Sequence, residues 1–292
     1  MAEMTQPGLL LIRGLGHSGS TILDLALGGH PQVVGLGEAV RVLSRPTADE
    51  AHKGPQQLRG QLRFERRCTC GAVAADCHVW GPMLSWLPDN DDRPLAEKVN
   101  RLIEPLQAGS PRWVVDSFQA DEQLLKAQAL GRPLRVIQLT RDVRSWVHSE
   151  SRRGVVRRGR GVGVGWRSLL RWWRVNHRLD QLLKRSGHPV FRLGYEELAL
   201  APEPALQRLC HWLELDFDAA MLRPGMHSTS HILAGNRMRF EPGRSDAIRY
   251  DGAWMSSSAL TLRLAPLLPP VARLNHQLVY SNGLLGKVWP SA

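Results

Sequence analysis

Four consecutive apolar residues, Leu9-Leu10-Leu11-Ile12, lead through Arg13 into Gly14-Leu15-Gly16-His17-Ser18-Gly19-Ser20-Thr21. Ile22-Leu23-Asp24-Leu25-Ala26-Leu27 follows and is closed by Gly28-Gly29. A short unbroken apolar run reads as a strand buried on both faces. The periodic segment ended by glycine reads as a helix. Strand, glycine-rich loop and helix in that order aim backbone N–H groups and a positive helix end at one point, which is the geometry that binds phosphate.

Further short strands are expected at Val33-Val34-Gly35, at Trp113-Val114-Val115-Asp116, at 134–139 and at 189–193. Helices are expected at 121–130, 143–152, 166–185, around Glu196 and at 204–213. Strands alternating with helices predict an α/β fold, a P-loop-like parallel sheet in three layers with helices on both faces. The 292 residues suffice for one such domain over 1–292. Residues 45–110 lack a clear strand and read as a mostly helical insertion; 225–292 read as a C-terminal lid with helices. Trp166, Trp172 and Trp173 recur at helical spacing and read as core, as does Cys210. No apolar run reaches the roughly 18–20 residues a bilayer requires. The start, MAEMTQPGLLLIRG, has no basic region before its apolar stretch, so no secretory leader is expected and the cytoplasm is the expected compartment.

The net charge of +11 is built from 33 arginines and 5 lysines. A GC-rich genome raises arginine over lysine without function; an anionic ligand does so with function, because the guanidinium fork matches phosphate and sulfate oxygens. The arginine-rich stretch 152–160 has no interleaved aromatics, so a lid or a solvated loop fits it better than a nucleic-acid arm. With 43% hydrophobic and 22% charged residues, the composition excludes a disordered chain.

The loop lacks the G-K-[ST] ending that nucleoside-triphosphate hydrolysis uses. Gly14, Gly16 and Gly19 do match the dinucleotide fingerprint by count, with Glu38 or Asp24 as the acid that such a site needs. A nicotinamide-dependent oxidoreductase is therefore one competing function. A non-catalytic nucleic-acid-binding protein is another.

R-G-L-G-H-S-G-S-T-I-L resembles the 5′-phosphosulfate loop of sulfotransferases that use 3′-phosphoadenosine 5′-phosphosulfate (PAPS), with His17 where that family usually carries a basic residue. Arg141-Asp142-Val143-Arg144, with Ser149 eight residues after Arg141, resembles the family's second signature, Val143 replacing its proline. Both occur in the family's order, and Phe191-Arg192-Leu193-Gly194-Tyr195-Glu196-Glu197-Leu198 resembles its strand and Y-E-D-L turn. The resemblance implies that Gly16, His17, Ser18, Gly19, Ser20 and Thr21 hold the 5′-phosphosulfate and that Arg141 and Ser149 hold the 3′-phosphate. His231-Ile232-Leu233-Ala234-Gly235-Asn236-Arg237-Met238-Arg239 resembles the family's late loop, which implies that Gly235, Asn236, Arg237 and Arg239 close over that phosphate.

Gly37-Glu38-Ala39-Val40-Arg41 resembles the G-E-x-x-R segment of tyrosylprotein sulfotransferases, which makes Glu38 the expected general base and Arg41 a substrate-binding residue. Histidine serves as base in cytosolic relatives, so His148 and His17 are the other bases to weigh. His17 beside a phosphosulfate would carry charge and donate to the bridging oxygen. The reaction expected is in-line sulfuryl transfer from PAPS to an acceptor hydroxyl on a small molecule, glycan or tyrosine. It leaves 3′-phosphoadenosine 5′-phosphate and needs no catalytic metal, no nucleic acid and no membrane span.

Cys68-Thr69-Cys70 and Cys77-His78 form C-x-C-x6-C-H. Zinc held by Cys68, Cys70, Cys77 and His78, a disulfide, and free thiols packed in the insertion are the three readings.

Overall fold

The structure is a computed structural model that describes residues 6–47, 59, 67–119, 123–126, 130–158, 163–241 and 243–285; for 123, 126, 153–158, 237 and 238 it describes the backbone alone. Five strands form, β1 (Gly8–Gly14), β2 (Val33–Gly35), β3 (Trp113–Asp116), β4 (Leu134–Thr140) and β5 (Val190–Gly194). They hydrogen-bond in the order β2-β3-β1-β4-β5 as a parallel sheet flanked by helices. Leu10 lies opposite Val115 and Val34 opposite Val114 in the register. All seven residues of β1 are buried, as its unbroken apolar run requires. From β1 the chain builds β2 and β3 on one side and β4 and β5 on the other, so the loop after β1 stands where strand order reverses. Open parallel sheets bind their ligands at such a point.

By packing, the chain divides into two compact units. Met1–Arg13, Thr21–Val136 and Asp218–Ala247 make the first; Gly14–Ser20, Ile137–Phe217 and Ile248–Ala292 make the second.

In the first unit, α1 (Ser20–Leu27) buries Leu23, Ala26 and Leu27, and α2 (Ala39–Leu43) buries Val40, Val42 and Leu43. The end of α2 leaves carbonyls without helical partners. Buried Arg59 donates to Val42 O at 2.8 Å and Ser44 O at 2.8 Å, and buried Lys98 donates to Leu43 O at 3.2 Å. Both cations also hold Asp91. The described part of the 45–110 insertion is mostly helical, with Trp80–Trp86, Leu95–Ile103 and three short 3-10 turns, after an antiparallel bridge between Arg67 and Val73. Residues 48–58 and 60–66 of it lie outside the described residues.

In the second unit the core is built from Leu15, Val143, Trp146, Val147, Leu169 and Trp172, with Leu274, Leu278 and Val279 from the helix Pro269–Val279. Truncating a buried tryptophan such as Trp172 costs about 3–5 kcal/mol. Trp172 and Cys210 are buried as expected and Trp173 is partly buried, whereas Trp166 is exposed.

One boundary differs from expectation. The helix expected to stop at 152 runs from Val143 to Arg158, so most of the expected basic loop is helical. A single glycine, Gly154, costs a helix only about 1 kcal/mol, too little to end it. The remainder of that stretch, 159–160, lies outside the described residues, as do the side chains of 153–158. Of the helix expected over 121–130, the backbone of Gln123–Lys126 is helical, while 120–122 and 127–129 are outside the described residues. Among the described residues no helix is long and apolar enough to cross a membrane.

Candidate active site

The second unit carries the loop Gly14–Ser20. Gly14 is obligatory: a Cβ there would lie 2.1 Å from the carbonyl oxygen of Leu139 on β4. His17 and Gly19 both take left-handed φ, 72° and 95°. A Cβ on Gly19 would meet the Tyr195 ring at 2.5 Å, so Tyr195 closes against the loop at its tightest bend. Trp146 Nε1 donates to Gly16 O at 2.9 Å.

Arg141 joins this loop to the turn after β4. Its Nη1 donates to His17 O at 3.3 Å, its Nε to Ser145 Oγ at 2.8 Å, and its Nη2 to Asp251 Oδ2 at 2.7 Å. The guanidinium also lies over the Tyr195 ring, 5.0 Å from the centroid. The Arg141 side chain is 9% exposed and that of Asp251 51%. Burial works against the Asp251 charge, yet the Arg141 hydrogen bond, the Ala253 N–H and the Arg141 charge together outweigh it and hold the carboxyl below its usual range.

Asp142, the second residue of the motif, turns inward. It accepts from Arg144, from Asn275 Nδ2 at 3.0 Å and from Tyr280 Oη at 2.9 Å. Burial opposes its ionisation, but the Arg144 hydrogen bonds and charge overcome that and lower its pKa. Glu196 Oε2 accepts the Asp142 N–H at 2.8 Å. Burial first, and the Asp142 charge second, push the Glu196 carboxyl up to about 7. Ser149 is half-buried on the same helix; the hydroxyl that Arg141 takes is that of Ser145. His148 is lowered by burial and by Arg152 and Arg141, against the pull of Asp251, which places it among the charges of the Arg141 end.

The first unit carries Glu38. Arg13 and Asp116 form a fully buried ion pair at 2.9 Å, and the other Asp116 oxygen accepts the Val40 N–H at 2.9 Å. The ends of β1 and β3 thereby fix the start of α2. Removing one partner of such a pair costs about 3–5 kcal/mol. Asp24 Oδ2 accepts the Gly37 N–H at 3.1 Å, and Gly37 O accepts from Ser117 N at 2.7 Å. Gly37 has φ 67°, and a Cβ on it would overlap Ala234 O at 2.5 Å. Glu38 N donates to Ala234 O at 2.9 Å, and Glu38 Oε2 pairs with Arg41 Nη1 at 2.9 Å. The Glu38 side chain is 16% exposed and that of Arg41 36%. A carboxylate this accessible, held from behind by backbone and oriented by one arginine, can accept a proton from an incoming hydroxyl.

The late loop also belongs to this unit. Asn236 N donates to Thr21 Oγ1 at 3.4 Å, and buried Arg239 donates to Asn236 O at 2.7 Å and Leu233 O at 2.6 Å. Gly235, at φ 150°, lies against Thr21 and Arg239. The side chain of Arg237 lies outside the described residues. Ser18 and Ser20 are buried.

The cysteine cluster corrects the sequence expectation at one position. Cys68, Cys70 and Cys77 converge with His231, and His78 instead packs edge-on against the His231 ring, 4.6 Å between centroids. His78 follows Cys77 directly in sequence, which turns its side chain away from the sulfurs. All four cysteines are free thiols, so the disulfide reading does not hold. The backbone N–H groups of Val79 and Trp80 point at the Cys77 sulfur. A cleft of about 630 Å³ between the helices Trp80–Trp86 and Leu95–Ile103 is lined by Trp86, Arg93, Glu97 and Asn100 and by none of the expected site residues.

Asp251, Ser145, Tyr195 and His231 are the residues that sequence reasoning did not place in a site. Tyr195 had a signal, the Y-E-E-L turn. Ser145 had a weaker one, the i+4 spacing from Arg141. Asp251 had none, and His231 had only its place at the start of the late-loop resemblance, which says nothing of a cysteine partner.

A sequence profile described as the sulfotransferase family matches residues 9–219. Among solved structures, the chain is similar to the sulfotransferase domain of the Synechococcus PCC 7002 olefin synthase. The two share 19% identity with a TM-score of 0.59, covering 94% of this chain and 95% of that one. It is also similar to the sulfotransferase domain of the curacin biosynthetic pathway, at 18% identity and a TM-score of 0.54, covering 94% of this chain and 98% of that one. These two are likenesses of fold. No curated protein matches the chain. With the profile spanning most of its length, over both the glycine-rich loop and the Arg141 turn, the chain belongs to the sulfotransferase family.

Proposed function

We propose that this protein transfers a sulfuryl group from PAPS to an acceptor hydroxyl, with Glu38 as general base. The observation that carries the reading is Arg141. One guanidinium bonds the backbone of the glycine-rich loop at His17 and presents its remaining face to an anion. The anion there is the Asp251 carboxylate, on a side chain that is otherwise nine-tenths buried. A buried guanidinium backed by an aromatic ring and already bearing an oxyanion has the donor set a phosphate monoester needs.

Bound PAPS supplies an electrophilic sulfur and a phosphate leaving group. Backbone N–H groups and hydroxyls of Gly16, His17, Ser18, Gly19, Ser20 and Thr21, at the start of α1, hold its 5′ end. Arg141 and Ser149 hold the 3′-phosphate, with Gly235, Asn236, Arg237 and Arg239 closing over it. Glu38 takes the acceptor proton as the oxygen–sulfur bond forms and the bond from sulfur to the 5′-phosphate oxygen breaks. Arg41 orients the Glu38 carboxylate, and His17 donates to the leaving oxygen. Four cysteines outside any disulfide suit a reducing, cytoplasmic compartment.

The oxidoreductase reading needs an acid free to take a ribose hydroxyl; Asp24 is fully buried and holds the Gly37 N–H, which removes one of its two candidates and leaves Glu38. Calorimetric titration separates the two. 3′-Phosphoadenosine 5′-phosphate is expected to bind and NAD(P) not to; the reverse result would overturn the assignment.

A further inference from the structure

The sulfurs of Cys68, Cys70 and Cys77 and one ring nitrogen of His231 lie within 4.8 Å of one another. Cys70 Sγ is 3.8 Å from Cys77 Sγ, Cys77 Sγ is 3.3 Å from His231 Nδ1, and Cys68 Sγ is 3.8 Å from the same nitrogen. Zinc binds sulfur at about 2.3 Å and imidazole nitrogen at about 2.0 Å, so a tetrahedral site sets neighbouring ligand atoms about 3.5–3.8 Å apart. The three distances above lie within about 0.3 Å of that spacing. A disulfide would need its sulfurs at about 2.05 Å.

The ligands are also held as a built site. Cys68, Cys77 and His231 are buried. Cys68 O accepts the Gly71 N–H and Cys68 N donates to Ala72 O, a tight turn that Gly71 permits with φ 91°. Trp80 Nε1 donates to His231 O at 2.6 Å, and His231 N donates to Gly35 O at 2.7 Å. Thr69, between the first two cysteines, donates to Ser230 O and accepts the Ile232 N–H at 2.9 Å. Two segments more than 150 residues apart are thus laid side by side by these hydrogen bonds, bringing three thiols, of which Cys70 is exposed, and one imidazole nitrogen together. Tetrahedral sites of three sulfurs and one imidazole select zinc.

We propose that Cys68, Cys70, Cys77 and His231 bind one Zn²⁺ in Cys₃His coordination, through the Nδ1 of His231, as a structural staple distinct from the sulfuryl-transfer residues. Binding sends the three thiol protons to solvent and leaves no ligand position open. The staple fixes the segment that runs on to Ala234, whose carbonyl receives the Glu38 N–H. The metal therefore positions the Glu38 turn through backbone and touches no reacting atom. The site does not depend on the sulfotransfer reading.

Elemental analysis of the full chain, purified without added metal, is the test. About one zinc per chain is expected in the wild type and in His78→Ala, and less than about a tenth of that in His231→Ala. Because loss of the ligand could unfold the protein, wild-type chain exchanged into cobalt(II) gives a second readout. Thiolate-to-cobalt charge transfer, with the intense visible bands of tetrahedral cobalt, supports the site. Metal-free wild-type chain that takes up no cobalt overturns it. So does an intact mass showing a disulfide, or zinc kept by His231→Ala and lost by His78→Ala.

Discussion

The Asp251 carboxylate stands 2.7 Å from Arg141 Nη2, on the guanidinium proposed above to hold the 3′-phosphate. A bound 3′-phosphate would have to share that arginine with Asp251 or displace it. Half-exposed pairs of this kind are worth about 0.2–1 kcal/mol. Asp251→Asn is therefore expected to tighten 3′-phosphoadenosine 5′-phosphate about two- to fivefold. Arg141→Ala is expected to weaken it by about 2–4 kcal/mol, the cost of losing a buried charge partner. Both are read by calorimetry, and weaker binding in Asp251→Asn would show that the carboxylate instead holds Arg141 in its binding pose.

His17 sits at φ 72°, where most side chains are strained and asparagine is tolerated. His17→Asn keeps that backbone and removes the imidazole proposed to donate to the leaving oxygen. Turnover should fall about 10²-fold, the usual loss for one donor at a developing oxyanion. Nucleotide affinity should change much less. Equal losses in both would make His17 a ground-state binder.

Asp24 makes stability depend on pH. Burial, with the Asp116 charge adding to it, pushes its carboxyl from 3.8 up to about 7, against hydrogen bonds from Ser117 and Gly37. A carboxyl raised on folding stabilises the protein in its protonated form. That contribution is complete below 3.8 and is lost as pH rises through 7. Glu196, raised to about 7 in the other unit, acts in the same direction. Asp24→Asn is expected to be more stable than the wild type at pH 8, by on the order of a few kcal/mol, with the gap closing toward pH 4. Thermal melts across that range check it, and a variant less stable at pH 8 would show that the charged form is the one the fold holds.

The first strand, loop and helix were legible because their signals are local: an apolar run with no polar break, glycines where the backbone bends left-handed, and an immediate helix. Arg141 was legible for the same reason, standing at a strand end in a fixed motif. His231 was not. Its partners are Cys68 and Cys77, brought to it by chain pairing that no local spacing encodes, whereas His78 lies next to Cys77 and drew the assignment. Asp251 reaches Arg141 from 110 residues away in a segment without regular structure. The basic stretch after 152 was misread because its charges and glycine outweighed, on paper, a helix that one glycine does not break.

Glu38 carries the central claim, and its accessible carboxylate, paired to Arg41 at 2.9 Å, can be tested as a base without disturbing the fold. The measurement is transfer of labelled sulfuryl from PAPS to a phenol, a glycan and a tyrosyl peptide, by the wild type and by Glu38→Gln side by side. Glutamine keeps the shape and most of the hydrogen bonding and removes the basic lone pair. Wild-type transfer to at least one acceptor is expected, with turnover in Glu38→Gln lower by about 10²–10⁴-fold and nucleotide affinity unchanged or slightly higher. Wild-type turnover in a Glu38→Gln variant that still binds the nucleotide would contradict the account and make His148 the base to test.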